Sequence, residues 1–541
     1  MLRIEIAWHM SSLILAYRAP EVGGGVVLSV DPFEFSDPDA AGQTRQAAPV
    51  FLASNRGPVE LEVLDGGDVR IRRGPGGLVT ALRSAVSRVS ATWVAAAMNE
   101  TDAAAARLSR GDLRVPVGSR MLHVSLLTPE RGDFRRYYDE VSNHLLWFIL
   151  HGIGNSPNEP DFDPPLWQSW EAYRRVNLAF ASRLSRKTAG TPEPLVLVQD
   201  YHLFLVPGYL RRRRSDARIL HFTHVPWPGP DAWRSLVGPI RAEILESLLA
   251  ADIVGFHTAR YVRNFLYTCR EYLDADIDLE RGLVRYRGRT VRVRPYPISI
   301  DPDWLQGFAD SVEVRHFERQ LHKLAPDDTQ VVLMVSRADP SKNVLRSFKA
   351  FDLFLQQNPA ARGKTTLWAL LPASRQGTLV YRRYLEQVIA QARRLEALWG
   401  TERWRPITLF TEDNYARAIA AMKRYDALLV NSLADGMNLV AKEGPIVNRR
   451  GGVLLLSENA GAAEELELGA KLIHPHDVAG TAEALATALA LPAAERRAMQ
   501  ERLRYQVRHR PISRWLADQL GDLQLADLAR TPAWPEAEPS S

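Results

Sequence analysis

The sequence predicts an α/β protein made of two doubly wound domains that face each other across a central cleft. Three observations predict it. At 541 residues the chain is too long for one ordinary core. From Pro49 onward, apolar runs too short for helices alternate with longer amphipathic segments, the pattern of βα units. Finally, Arg294-Pro-Tyr-Pro-Ile-Ser-Ile-Asp-Pro302 contains three prolines that neither a helix interior nor a central strand accepts, which marks an interdomain connection.

In chain order, residues 1–48 read as a flexible extension. Ser12-Leu-Ile-Leu-Ala16 has the flavour of a secretory signal, but the apolar core is very short, Glu5 interrupts the region before it, and no convincing cleavage site follows. An upstream start codon explains the stretch equally well. Residues 49–297 form the first domain, with strands expected at Val50-Phe-Leu-Ala-Ser54, Pro194-Leu-Val-Leu-Val198, Arg218-Ile-Leu-His-Phe222 and Asp252-Ile-Val-Gly-Phe256. Residues 298–515 form the second, with strands at Gln330–Val335, 366–371, Ile407–Phe410, Ala427–Val430 and 453–456. Continuous apolar strands are buried on both faces, so the sheets should be parallel and covered by helices. Residues 516–541 finish a helix and, from about Thr531, pass into a disordered tail rich in Pro, Glu, Ala and Ser.

Composition narrows the function. With 46% hydrophobic and 24% charged residues and no apolar run near the roughly 18–20 residues of a membrane span, no membrane association is expected. The formal net charge of +5 comes from arginines scattered among carboxylates, so no nucleic-acid partner is expected either. The densest group, Arg211 to Arg214, reads as the solvated end of a helix. Cys269 is the single cysteine, which excludes an intramolecular disulfide and a multi-cysteine metal site; it fits a cytoplasmic protein and reads as a small buried hydrophobe.

In such sheets ligands bind where strands end and helices begin. Four loops there carry chemistry. Ser54-Asn-Arg56, followed by Arg73-Gly-Pro-Gly-Gly77, offers an arginine and glycines that let backbone N–H groups approach an anion. Gln199-Asp200-Tyr-His202 and His221-Phe-Thr-His224 bring a carboxylate and imidazoles to adjacent strand ends, suited to sugar hydroxyls or proton transfer. Ser336-Arg337-Ala-Asp339-Pro-Ser-Lys342 offers a guanidinium fork and an ammonium for a diphosphate. Asn431-Ser-Leu-Ala-Asp435-Gly436-Met437-Asn438-Leu439-Val-Ala-Lys-Glu443 combines an acidic loop, a glycine that permits an unusual turn, and a helix start. Taken singly, each has a plainer reading as a tight turn, a structural histidine or a surface ion pair. Asp274-Ala-Asp276 reads as a polar surface loop rather than a metal motif.

Together these blocks resemble the trehalose-6-phosphate synthase family of retaining glycosyltransferases, over about Val50 to Trp515. The most specific are Asp435-Gly-Met-Asn-Leu-Val-Ala-Lys-Glu443, Leu456-Ser-Glu-Asn-Ala-Gly-Ala-Ala-Glu-Glu-Leu466 and Asp200-Tyr-His-Leu203. The resemblance implies a GT-B architecture of two Rossmann-like domains, a nucleotide-diphosphate sugar as donor, a phosphorylated small molecule as acceptor, and no metal or other cofactor. It assigns Gly77, Arg337 and Lys342 to the diphosphate, Asp435, Gly436, Met437, Asn438 and Leu439 to the donor sugar, and Glu443 to the ribose. It places Arg56, Tyr138, Trp147, Asp200, His224 and Arg375 around the acceptor. The resemblance further implies that Asp200, His224, Arg337, Lys342 and Asp435 form the catalytic set and that the departing phosphate itself takes the acceptor's proton.

The acceptor side departs from the family pattern. Where Gly-Trp-Ser-Gly is usual, this chain has Trp93-Val-Ala-Ala-Ala97-Met98, so that Ala96 stands for an acceptor-facing tryptophan. Pro-Ile-Gly-Ile becomes Pro297-Ile-Ser299-Ile, and Asp-Tyr-Ser-Lys-Gly becomes Asp339-Pro-Ser-Lys-Asn343. The leading expectation is glucosyl transfer from UDP-glucose to glucose 6-phosphate, giving trehalose 6-phosphate. Transfer to another phosphorylated acceptor, as in glucosylglycerol-phosphate synthases or valienyl pseudo-glycosyltransferases, is the alternative. A catalytically silent sugar-phosphate sensor is the alternative of another class. Whether the chain forms a homo-oligomer stays open.

Overall fold

The computed structural model describes residues 4–9, 12–17, 26–30, 49–63, 69–73, 90–117, 120–154 and 160–526. All nine expected strands are present, and they form the centres of two large sheets. The first sheet has ten strands. Seven run parallel, in the order Arg289–Pro295, Ile253–Phe256, Arg218–Phe222, Leu195–Gln199, Val50–Ala53, Ala91–Ala96, Arg120–Leu127. Antiparallel strands close both edges: Asp276–Asp278 and Leu283–Tyr286 on one side, Asp112–Val117 on the other. The second sheet is parallel throughout, ordered Ile407–Phe410, Thr365–Leu370, Gln330–Val335, Ala427–Val430, Val453–Ser457, Lys471–Ile473. The central strands are mostly apolar because helices cover both faces; Val50–Ala53 and Ala427–Val430 are buried at every residue.

Several expectations need correction. The extension through residue 48 carries three strands, Ile4–His9, Ser12–Tyr17 and Val26–Val30, which share a sheet with Val59–Val63 and Val69–Arg73. Runs rich in Ile, Val and Leu, such as Leu13-Ile-Leu and Val26-Val-Leu, have strand propensity that a reading of the stretch as a tail overlooks. Arg211 is not solvated. It is 3% exposed and donates to Asp252 Oδ2 at 2.7 Å and to the carbonyl of Ala250 at 3.1 Å, so the arginine cluster includes a buried clasp between a helix and a strand start. Arg214 likewise grips Asp216, Thr188 and Thr191, leaving Arg212 and Arg213 as the exposed members. Cys269 is buried in the apolar core, as expected. Asp274 caps a helix in the left-handed region at φ 50°, and Asp276 pairs with Arg285 at 2.8 Å. Residues from 527 onward, including the expected tail, lie outside the described residues.

The chain crosses between domains twice. The first crossing runs through Pro297-Ile-Ser-Ile300, held by the Lys442 ammonium, which donates to Ile298 O at 2.7 Å while paired with Glu465. The second was not anticipated: the helix Ile512–Gln524 returns to the first domain, so the expected boundary at 515/516 falls inside it. Trp515 packs edge-on against Phe222 at 5.2 Å and donates to Tyr296 O at 3.1 Å. The two crossings touch each other, with the Ile512 N–H donating to Ile300 O at 3.0 Å. Among the described residues no helix is long and apolar enough to cross a membrane.

Candidate active site

The carboxyl ends of both parallel sheets open into one interdomain cleft of about 2110 Å³. The first domain contributes the residues after its strands, namely Arg56, Asp200, His224 and His257. The second contributes Arg337 and Lys342, then Arg375, then Tyr415, then Asp435 through Val440 with Glu443.

On the second-domain side the centre is an ion pair. Lys342 Nζ lies 2.5 Å from Asp435 Oδ2, and the same oxygen accepts from Ser432 Oγ at 3.0 Å and Asn438 Nδ2 at 2.9 Å. Burial alone would raise the Asp435 carboxyl; the adjacent ammonium and amide outweigh it and hold it below the usual carboxylate range. Lys342 ends a short turn begun by Asp339, whose Oδ1 accepts from the Ser341 N–H and hydroxyl at 2.9 and 2.8 Å. Arg337 is exposed in the cleft, its guanidinium carbon 5.8 Å from the Trp147 ring centre.

The loop bearing Asp435 is clamped by the Leu456–Leu466 motif. Asn459 O accepts from Asp435 N at 3.3 Å, Gly461 N donates to Asp435 O at 3.0 Å, and Ala462 N donates to Met437 O at 2.8 Å. Gly461 is needed for this closeness, since a Cβ there would lie 1.9 Å from Gly436 O. The two sequence motifs are therefore two halves of one structure. Gly436 is required for space rather than for a turn, which corrects its reading. The residue with the left-handed backbone is Asn438, at φ 77°.

Glu443, on the helix Val440–Val447, accepts from the Tyr415 hydroxyl at 3.2 Å. Tyr415 stacks on Phe308 (5.5 Å between ring centres), which stacks on Trp304 (5.4 Å, 5° between planes). These three rings line the cleft beside Glu443 and were missed in the sequence. The available signal was the Trp304/Phe308 pair, four residues apart on one helix face immediately after the connection.

On the first-domain side, Arg56 donates to Glu60 at 2.8 Å and to Tyr138 Oη at 3.2 Å. Tyr138 stacks between Phe134 and His202, at 5.6 and 5.7 Å. Asp200 has φ 74°, accepts from His224 N at 3.1 Å, and is pushed up to about 6 by burial, against the backbone N–H bonds that favour its ionised form. Burial drives His224 far below its ordinary value, with His257 and His221 adding to the effect; its Nε2 sits 2.8 Å from Gln199 Oε1. His151 packs on the Trp147 ring at 3.9 Å and is lowered by burial to about 4.

The structure thus gathers every expected site residue into one cleft except Gly77, which lies outside the described residues. One of them, Arg375, and the strand-end position Ala96 are placed differently from the expectation. Arg375 is no freely presented phosphate fork. Its guanidinium pairs with the fully buried Asp339 at 2.7 Å, donates to Tyr381 Oη at 3.0 Å, and lies 3.6 Å over the Trp147 ring. Asp339, read in the sequence only as part of its loop, and Tyr381, missed there, make Arg375 a clasp between the domains, for Tyr381 also donates to Asn143 O at 3.0 Å. Ala96 is 1% exposed and packs in the core; the residues facing the cleft at this strand end are Ala97 and Met98. Among the described residues no three His, Cys, Asp or Glu side chains come together as a metal-ligand set.

Residues 49–525 match the model of glycosyltransferase family 20. The chain is 31% identical over 489 residues to a validamine 7-phosphate valienyltransferase of Streptomyces hygroscopicus subsp. jinggangensis, covering 89% of this chain and 95% of that protein. It is 33% identical over 479 residues to a trehalose-6-phosphate synthase of Mycobacterium avium, covering 86% and 93%. Among solved structures, a UDP-forming α,α-trehalose-phosphate synthase of Burkholderia xenovorans in complex with glucose 6-phosphate superposes with a TM-score of 0.73 at 26% identity, covering 88% of this chain and all of that one.

Proposed function

The chain belongs to glycosyltransferase family 20, and from that premise we propose that it is a retaining transferase moving glucose from UDP-glucose to glucose 6-phosphate, with trehalose 6-phosphate as product. One observation carries this reading. Arg337 and the Lys342–Asp435 pair face Arg56, Tyr138 and Asp200 across a single cleft, so that a cationic site fit for a diphosphate opposes one fit for a phosphate monoester and its hydroxyls.

When the bond between the sugar's anomeric carbon and the diphosphate breaks, negative charge grows on the departing oxygen. Arg337 and Lys342 stabilise it, with Asp435, Ser432 and Asn438 holding the lysine in place. The acceptor hydroxyl forms the new bond on the same face, and its proton passes to the departing phosphate oxygen. Asp200 as a carboxylate accepts hydrogen bonds from acceptor hydroxyls, and neutral His224 orders the strand end beside it. Glu443, aimed by Tyr415, takes the ribose diol, and the Trp304–Phe308–Tyr415 rings provide a wall for the base. The two cationic side chains supply the charge for which other transferases use a divalent ion, so no metal is required. The nucleotide-sugar donor and the lone buried cysteine support a cytoplasmic location.

A second acceptor is favoured by one feature, the small Ala97 and flexible Met98 that line the cleft beside Ala96, the position where a tryptophan is usual, together with likeness to a valienyltransferase. The deciding experiment measures nucleoside-diphosphate release with glucose 6-phosphate, glycerol 3-phosphate and cyclitol phosphates, each with UDP-, ADP- and GDP-glucose. Glucose 6-phosphate performing no better than buffer sinks the trehalose reading. Acceptor binding without turnover of any donor favours the sensor, a role for which a diphosphate clamp has no use.

A further inference from the structure

A second concavity, of about 580 Å³, lies on the second domain apart from the cleft. Six cationic side chains line it: Arg319 and Lys323 from the helix Val312–Leu324, Lys423 and Arg424 just after the helix Tyr415–Met422, and Arg449 with Arg450. Four are engaged. Lys423 is buried against Glu318 and Ala309 O, both at 2.7 Å; Arg424 pairs with Asp327 at 3.0 Å; Arg449 meets Asp310 at 2.6 Å; Arg450 meets Asp426 at 3.2 Å. Each of those charges has a carboxylate. Arg319 and Lys323, both exposed, have no carboxylate partner among the described residues, so the excess charge stands at the rim. The buried Nε of Arg424 also lacks a hydrogen-bond acceptor. Guanidinium and ammonium groups converging on a pocket of this size suit a small polyanion.

The walls of this pocket are shared with the cleft. Ala418 and Met422 of the helix Tyr415–Met422 face the cleft, and Ala420 faces the pocket. Its first residue, Tyr415, holds Glu443. On the other wall, Glu313 faces the cleft and Glu318, Arg319, Leu321, His322 and Lys323 face the pocket. We propose that this pocket is an effector site for a phosphate-bearing small molecule, which by drawing the two helices together changes donor affinity. The coupling half rests on the donor reading of the cleft; the binding half does not.

The test uses full-length protein with the cleft filled by UDP and glucose 6-phosphate, titrated calorimetrically with inorganic phosphate and, separately, with ribose 5-phosphate. Saturable one-to-one binding is expected, stronger for whichever is the natural source of the phosphate. It should weaken at least tenfold in the double variant Arg319→Glu/Lys323→Glu, which keeps its transfer rate because neither residue faces the cleft. Donor KM of the wild type should shift at least threefold with the probe, and that of the double variant should not. Arg337→Ala separates the two readings: it should lose transfer yet bind the probe at the pocket unchanged. No saturable binding with the cleft filled, or equal binding by the double variant, overturns the site; binding that leaves donor KM unmoved overturns the coupling.

Discussion

The carbonyl oxygen of His224, in the first domain, sits so close above Gly436, in the second, that a Cβ on Gly436 would come within 1.8 Å of it. Glycine is what lets the two halves of the site meet. Gly436→Ala is therefore expected to hold the domains apart and lower kcat by about 100-fold, the scale of an ångström's misplacement at a reacting centre. The fold of each domain should survive, as near-wild-type circular dichroism and melting would show. Retained activity would mean that transfer occurs in a more open arrangement.

Arg375→Ala should damage more than acceptor use. The guanidinium compensates Asp339, which burial would raise and which Arg375, with Arg337 and Lys342, holds below its ordinary range. Removing one partner of a buried pair costs about 3–5 kcal/mol. Denaturant unfolding should show that loss, whereas Arg337→Ala, at an exposed position, should abolish transfer with little change in the midpoint.

Acceptor kcat/KM should rise with pH, up to tenfold per unit, below about pH 6 and level off above it. The sign follows from the direction of the shift: below that pH Asp200 is protonated and offers a donor where an acceptor hydroxyl needs a carboxylate, and above it the carboxylate is free to accept. A phosphomonoester acceptor also titrates at about 6. Asp200→Asn separates the two, since it should lower the plateau and remove only the enzyme's share of the limb. An unchanged profile in that variant would clear Asp200 of the effect. His151 and His257, held down near 4 and 3 by burial, stay neutral across this window.

Tyr415→Phe deletes the hydroxyl that aims Glu443 but keeps the stacked ring. A hydrogen bond to a charged group contributes about 1.5–3 kcal/mol, so donor KM should rise about tenfold with acceptor KM unmoved. Trp304→Ala should act on donor KM alone, by stripping the end of the aromatic column.

Chelation should change nothing. If Arg337 and Lys342 carry the leaving-group charge as proposed, transfer in EDTA should match the untreated rate within error. A loss restored by magnesium would assign that charge to a metal instead.

The sequence legibly carried the strands and the loops at their ends, because continuous apolar runs and polar breaks obey local rules. Lys342 and Asp435 were readable as strand-end residues of the cleft for the same reason. Contacts between distant segments were not readable. Nothing local marks Arg375 as the partner of Asp339, Arg211 as a buried clasp, or Ala97 and Met98 rather than Ala96 as the cleft wall, since each depends on which way a strand end or loop finally faces. Gly436 was singled out for the wrong reason, a turn, because the demand on it comes from a carbonyl 212 residues away in the chain.

The contact between Ile300 and Ile512 sets how the molecule can move. Both covalent links between the domains lie side by side, like the two knuckles of a single door hinge, an arrangement that favours a swing about that edge over a slide. A variant that loosens the crossings, such as Ile512→Pro, which removes that N–H, is therefore expected to alter how the two halves of the cleft meet without touching a residue that lines it.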